Sequence, residues 1–367
     1  MVILYVEGDN LILKTEIIKI DQNIPGWDKQ LDHAAEIIRR GGLVAFPTET
    51  VYGLGANTFD VNALENIYKA KGRPSDNPLI VHIAKPEDLE GLVRSVPASA
   101  EKLMRAFWPG PLTMVMPKSD KIPLKITAGL DTVAIRMPSH PIAQALIRKS
   151  GFPIAAPSAN SSGRPSPTLA KHVIEDLSGK VDVIIDGGSA QVGLESTVLD
   201  VTVDPPIILR PGGITREQLA DLLGKVSTDT ALTGTNSSTP PRSPGMKYRH
   251  YAPRAPFILF QGQASLAAKE IIKHADKALG DGMSVGVLIT EETAGEYRKD
   301  LFEHCKVLCL GTRKAPESLA ANLFKCLRDF DASDVDLILA EAPDNSGIGM
   351  AVVNRMAKAS GGNIIKL

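Results

Sequence analysis

The chain has 367 residues, 43% hydrophobic and 23% charged, a soluble globular composition whose length suggests about two domains rather than one core. Its 41 basic and 42 acidic residues leave a formal net charge of −1, which argues against a whole-surface polyanion binder but leaves room for a local basic pocket. No apolar run approaches the ~20 residues of a bilayer span, and Cys305, Cys309 and Cys326 fall in no metal-ligand spacing, so reduced thiols in a cytoplasmic protein are expected.

In chain order, residues 1–6 read as a strand interrupted by Glu7 and Asp9, with no basic segment ahead of it to make a secretion signal. An amphipathic helix is predicted at 29–40, ending on Gly41-Gly42, followed by a strand at 43–46. Helices fit 61–70, 98–107, 141–149 and 168–177; strands fit 79–83, 113–116, 132–136, 183–185, 197–201 and 207–209. Buried strands separated by Pro/Gly loops rich in hydroxyls and cations imply an α/β (α+β) domain over 1–226, with one elaborated, functional face. Residues 227–256 form an extended Ser/Thr/Pro/Gly linker that ends in the aromatic and cationic stretch Pro244-Gly245-Met246-Lys247-Tyr248-Arg249-His250-Tyr251-Ala252-Pro253. Beyond it, strands at 257–260, 285–290, 307–310, 337–340 and 364–365 alternate with helices at 266–279, 291–304, 316–330 and 350–360. That alternation predicts a smaller Rossmann-like parallel-sheet domain over 257–367. No Gly-x-Gly-x-x-Gly turn follows its first strand, so no dinucleotide is expected there.

Five loops bring small, polar or cationic groups to strand ends. The first, Pro47-Thr48-Glu49-Thr50-Val51-Tyr52-Gly53-Leu54-Gly55, suits either a small polar ligand or a turn capping the next helix. The second runs from Lys71 to His82. Pro74 and Pro78 stiffen it, while Lys71 and Arg73 offer a point charge and a planar fork suited to phosphate oxygens. On that segment alone a solvated basic loop serves equally well. The third ends at Arg136, which closes an apolar strand and therefore needs an anionic partner, either a structural carboxylate or a ligand's. The fourth, 155–168, lets a ligand approach the backbone and offers Ser158, Asn160 and Ser166 as donors; Ser166 or Thr168 also suits a helix N-cap. The fifth holds Glu195-Ser196-Thr197 and then Arg210, which repeats the logic of Arg136. The chain has no Gly-x-x-x-x-Gly-Lys-Ser/Thr loop, no His-Glu-x-x-His and no Gly-x-Ser-x-Gly elbow.

Taken together these segments resemble the YrdC-like threonylcarbamoyl-AMP synthases in their longer two-domain form. The resemblance is carried in order by 47–55, by Lys71-Gly72-Arg73-Pro74 with Asn77 to His82, by Trp108-Pro109-Gly110-Pro111-Leu112-Thr113, and by 133–138, 156–160 and 195–197; 244–253 extend it. It implies an N-terminal domain with a twisted mixed sheet and an open concave face. It also implies a nucleotidyl transfer: ATP, L-threonine and bicarbonate give threonylcarbamoyladenylate and pyrophosphate, with Mg²⁺ accompanying ATP and no tightly bound protein-ligated metal. The product supplies the threonylcarbamoyl group of the modified adenosine beside the anticodon in certain tRNAs. By the same resemblance, Lys71, Arg73, Asn77, Thr132, Ser158, Asn160, Ser166, Arg210, Tyr248 and Tyr251 bind the nucleotide, Lys71 and Arg73 being the catalytic cations. Thr50, His82, Arg136, Ala156 and Ser196 bind threonine. Expected partners are small molecules and transiently tRNA-modification proteins, no membrane, in a monomer or weak homodimer. The family's chemistry rests on positioning and charge stabilisation, so no covalent nucleophile is required.

Three other readings compete, the blandest being a non-catalytic regulator that uses the pocket as a sensor, which the intact set of cations disfavours. An RNA-binding module is disfavoured because the cations are spaced singly through hydroxyl-rich loops. A carbamoyl-transfer enzyme of the hydrogenase-maturation type needs acylphosphatase and zinc-finger segments, for which this chain has neither the length nor the cysteines.

Overall fold

Alternation along the central strands decides what each face of the larger sheet does. Val81, Met114, Met116, Val133, Ile135, Leu199 and Ile208 belong to the main core. Their strand neighbours Ile80, Val115, Ala134, Val198 and Leu209 form a separate small apolar floor on the opposite face. The computed structural model describes residues 4–7, 10–229, 232 and 251–367, in two units. The first takes residues up to 162, 166–191 and 195–247; the second takes 163–165, 192–194 and 248 onward. Most of the linker, Tyr248 included, lies outside the described residues.

In the first unit eleven strands form one mixed sheet in the order Ser227–Thr228, Ile207–Arg210, Thr197–Asp200, Leu112–Pro117, Thr132–Arg136, Ile80–His82, Ile154–Ala155, Gly53–Asn57, Val44–Phe46, Val183–Asp186 and Glu16–Lys19. Around Val44–Phe46 both faces are covered. Ala45 and Leu54 point into the main core. Val44, Phe46, Val183 and Ile185 pack against the helices Leu31–Arg39 and Pro141–Ser150 through Leu31, Ala35, Ile38, Ile142 and Leu146. Around Leu112–Pro117, Thr132–Arg136 and Ile80–His82 the second face carries only the small floor, interrupted by polar and charged side chains. That difference between the two halves places the site.

Two sequence expectations change here. Residues 47–55 are only partly a loop, because Gly53–Asn57 is a fully buried central strand, antiparallel to Val44–Phe46 and to Ile154–Ala155. Its glycines are steric. A Cβ on Gly55 would stand 2.7 Å from Ile154 Cγ2 and 2.8 Å from Phe46 Cε1. The start of the expected linker also pairs: Ser227–Thr228 runs parallel to Ile207–Ile208 as an edge strand. At the other end of the sheet, Glu16–Lys19 pairs with Val183–Asp186, and Leu4–Glu7 forms a separate two-stranded hairpin with Asn10–Leu13.

The second unit has five parallel strands in the order Lys306–Cys309, Val285–Ile289, Leu337–Glu341, Phe257–Gln261, Ile364–Lys366. The sequence predicts one helix over 291–304, but the structure divides it into a 3-10 turn, Glu291–Glu296, and a short α-helix, Lys299–His304. Buried Glu341 at the end of its strand accepts from Thr290 N, Thr290 Oγ1 and Thr293 Oγ1 at 2.6–2.7 Å, which pins the start of the turn. Tyr251, with φ of 65°, belongs to this unit. Its ring packs on Phe324 at 5.2 Å and lies under the Arg355 guanidinium at 5.5 Å.

Candidate active site

Strand register lines up the polar groups. Ile154 faces His82, His82 faces Arg136, Arg136 faces Thr113, Thr113 faces Val198 and Val198 faces Arg210. Register partners share a face, so His82, Arg136 and Thr113 form a row across the sheet on the side of the small apolar floor, and a register shift between Val198 and Leu199 brings Arg210 to it beside Leu209. Thr132, four residues before Arg136 on the same strand, shares that face. All members of the row are buried except for the intermediate Thr132.

Arg136 is the centre of the row. Its Nη1 donates to Thr50 Oγ1 at 2.8 Å and its Nε to the Gly110 carbonyl at 3.3 Å. Glu49 stands 2.7 Å from Nη2 as a buried ion pair. The loop that brings Glu49 and Thr50 to it is shaped by Thr48, whose Oγ1 accepts from the amides of Thr50 at 3.2 Å and Val51 at 3.3 Å. The structural carboxylate expected for Arg136 is therefore Glu49, which the sequence reading quoted in a motif and assigned no role. Its signal was position: the residue before Thr50, in a loop whose other polar side chains are hydroxyls. Thr50, Gly110 and Glu49 take one N–H each of a guanidinium that carries five, which leaves donor capacity for a ligand carboxylate.

Charge states follow from this packing. Burial pushes the His82 imidazole down to about 3 and the neighbouring Arg136 cation adds to it, so the ring is neutral at physiological pH. Its edge meets the Phe46 ring at 6.3 Å and its Nδ1 has no hydrogen-bond partner among the described residues. Glu49 is moved up by burial, but the charge and hydrogen bonding of Arg136 outweigh that and hold the carboxyl below its ordinary value. At the far end of the row, Ser196 Oγ pairs with Thr113 Oγ1 at 2.7 Å, while Arg210 reaches the Ser196 carbonyl and hydroxyl, each at 3.1 Å.

A second cluster gathers around Lys71, the last residue of the helix Val61–Lys71, where Gly72 closes the helix in the left-handed conformation with φ of 61°. The Lys71 ammonium donates to the Ser158 carbonyl at 2.5 Å, to the Asn160 carbonyl, and to Asn160 Oδ1 at 3.4 Å. The same Oδ1 accepts from Ser158 Oγ. Lys71, Ser158 and Asn160 thus come together as one knot. Arg73 reaches the carbonyls of Asn77 at 3.4 Å and Pro78 at 3.2 Å. The Asn77 side chain is 1% exposed, and neither Oδ1 nor Nδ2 has a hydrogen-bond partner among the described residues. An unsatisfied buried amide costs on the order of 1–3 kcal/mol, which a ligand there would recover. Ala156 lies at the edge of the row, its amide donating to the Ile80 carbonyl at 2.9 Å. Ser166 Oγ donates to Glu195 Oε1 at 2.6 Å. No group of three or more metal-ligating side chains occurs among the described residues, and no described helix is long and apolar enough to cross a membrane.

Comparison with known proteins covers nearly the whole chain. Residues 36–212 match the family model described as telomere recombination (Sua5, YciO, YrdC), and residues 214–361 match the threonylcarbamoyl-AMP synthase C-terminal domain. A Bacillus subtilis protein named threonylcarbamoyl-AMP synthase is 51% identical over 96% of this chain and 99% of its own length. One of the same name from Pyrococcus abyssi is 50% identical over 96% of this chain and all of its own. The crystal structure of Pyrococcus abyssi Sua5 complexed with L-threonine superposes with a TM-score of 0.90, covering 96% of this chain and 100% of the other.

Proposed function

Because the chain belongs to the threonylcarbamoyl-AMP synthase family, nucleotidyltransferases that make the precursor of a tRNA modification, we propose that the part of its cross-sheet row around His82 and Arg136 holds L-threonine, and that its Lys71–Asn77 cluster, with Thr132 and Arg210 from the row's face, holds ATP. The observation that carries this reading is Arg136: a buried cation, fixed by Thr50 and Gly110, with donor capacity left over on the face where the apolar floor is small. In this reading Arg136 pairs with the threonine carboxylate, neutral His82, Thr50 and Ser196 surround the rest of the amino acid, and Ala156 contributes backbone. Arg73, Asn77, Thr132, Ser158, Ser166 and Arg210 contact the nucleotide, with Lys71 holding the Ser158–Asn160 loop in shape as well as adding charge. Tyr251 and Tyr248 are the remaining nucleotide candidates.

Bicarbonate is the third substrate. The threonine amine and bicarbonate form a carbamate with loss of water, the carbamate oxygen attacks the α-phosphorus of ATP, and the bond to pyrophosphate breaks as it leaves. Lys71 and Arg73 offset charge on the phosphates in the transition state, where Mg²⁺ accompanying the nucleotide would add to them. The cytoplasm, where tRNA is modified, is the expected compartment, with transient contact to other tRNA-modification proteins. Purified protein incubated with ATP, Mg²⁺, bicarbonate and L-threonine tests the reading. Pyrophosphate release that depends on both threonine and bicarbonate, with an adenylate of matching mass, supports it. ATP binding without such release overturns it.

A further inference from the structure

Glu49 is a charged group in direct contact with Arg136 to which the reaction gives no task. It is 4% exposed and sits 2.7 Å from Arg136 Nη2 in a buried ion pair. A buried carboxylate held this way is costly unless its charge is used. It is not needed to aim the arginine, since Thr50 and Gly110 already fix Nη1 and Nε.

We propose that Glu49 is a positioning and specificity residue that acts through Arg136, cancelling its charge so that the pocket selects a zwitterionic amino acid over a simple carboxylate. The inference rests on the threonine assignment above. With Glu49 ionised and His82 neutral, the charge of Arg136 is already matched before substrate arrives. A zwitterion then enters without leaving a buried charge unmatched, its carboxylate on Arg136 and its ammonium drawn by the nearby carboxylate field. A ligand with a carboxylate and no ammonium brings a net negative charge up to a cation that Glu49 already neutralises, where screening is poor, and is penalised. Without Glu49, Arg136 becomes an uncompensated cation: simple carboxylates gain, and the ammonium of an amino acid loses.

The test compares binding of L-threonine with binding of 3-hydroxybutyrate, which is threonine without its amino group, by titration calorimetry on wild-type, Glu49→Gln and Glu49→Asp proteins. ATP affinity and thermal unfolding are followed in parallel. Wild-type protein is expected to favour threonine strongly. Glu49→Gln is expected to lower that preference by about tenfold or more, with ATP affinity unchanged within about twofold. Glu49→Asp, which keeps the charge but withdraws it from Nη2, is expected to fall between them. If Glu49→Gln does not fold, the Glu49→Asp preference decides alone. A folded variant with the wild-type preference, or one whose threonine and ATP affinities weaken in step, overturns the inference. Wild-type protein that binds no threonine would overturn the site assignment itself, an outcome visible before any variant is measured.

Discussion

Thr113 Oγ1 and Ser196 Oγ stand 2.7 Å apart, and Arg210 Nη2 reaches the same Ser196 hydroxyl at 3.1 Å, so one small side chain ties three strands' worth of polar groups together. Ser196 precedes the strand Thr197–Asp200, and its neighbours in the sheet carry Thr113 and Arg210. Thr113→Val keeps the volume and removes the hydroxyl. The expected result is a loss of about 1 kcal/mol in stability together with a several-fold rise in the KM for threonine, and little change in the KM for ATP. Steady-state pyrophosphate release at varied threonine and ATP checks it. Equal effects on both substrates would remove Ser196 from the amino-acid end of the row.

Arg73 belongs to the other cluster. Arg73→Ala is expected to leave thermal unfolding near wild type and to lower adenylate formation by about 10²-fold or more, as for removal of a charge that stabilises the transition state. A variant with undiminished turnover would rule out its catalytic role.

Lys71 is expected to behave differently, because its ammonium ties the Ser158 and Asn160 carbonyls to the end of a helix. Lys71→Met leaves those buried acceptors unpaired and is expected to cost about 2–4 kcal/mol of stability as well as activity. Denaturant unfolding of the two variants side by side separates the knot from the phosphate contact.

The buried titratable groups of the row fix a pH dependence. His82 has its folded value lowered to about 3, so between the ordinary histidine range and that value the unfolded chain binds a proton that the native protein does not. Glu49 is also lowered, so its contribution is present above its ordinary carboxyl value and is lost as pH falls through and below it. Both signs agree: stability falls on acidification. His82 alone gives a slope of about 1.4 kcal/mol per pH unit, beginning near pH 6.5. His82→Gln should flatten the stability curve between about pH 6.5 and 4.5. An unchanged slope in that variant would mean that His82 is not the group responsible.

Gly55 tests the central strand. Gly55→Ala places a methyl against Ile154 and Phe46 at under 3 Å and is expected to cost about 1–3 kcal/mol, read by thermal unfolding.

Periodicity exposed the elements that alternate or repeat cleanly: the short apolar strands flanking Arg136 and the five-stranded parallel unit were both legible. Gly53–Asn57 was not, because glycine in a central strand looks like a turn until the side chains packed over it, Phe46 and Ile154, are known. The division between Glu291–Glu296 and Lys299–His304 was hidden for a similar reason, since the group that anchors the start of the turn, Glu341, lies far along the chain. For the site, the need for an anion at Arg136 was readable from the apolar strand it closes. That Glu49 fills it was not, because a strand register and a hydroxyl-braced turn have to bring them together. No spacing in the sequence encodes that distance.

The row across the sheet also limits how such a pocket can change. His82, Arg136 and Thr113 sit on adjacent strands in register, so their spacing is the interstrand repeat of about 4.8 Å and cannot be stretched by altering neighbouring side chains. The residues between them on the same strands, Val81, Ile135 and Met114, are core on the reverse face. Laboratory evolution toward larger or differently shaped amino acids therefore has little freedom in the strands. Variants that broaden the substrate range should accumulate in the 47–52 and 156–167 loops, while the strand positions resist replacement in any library selected for folding.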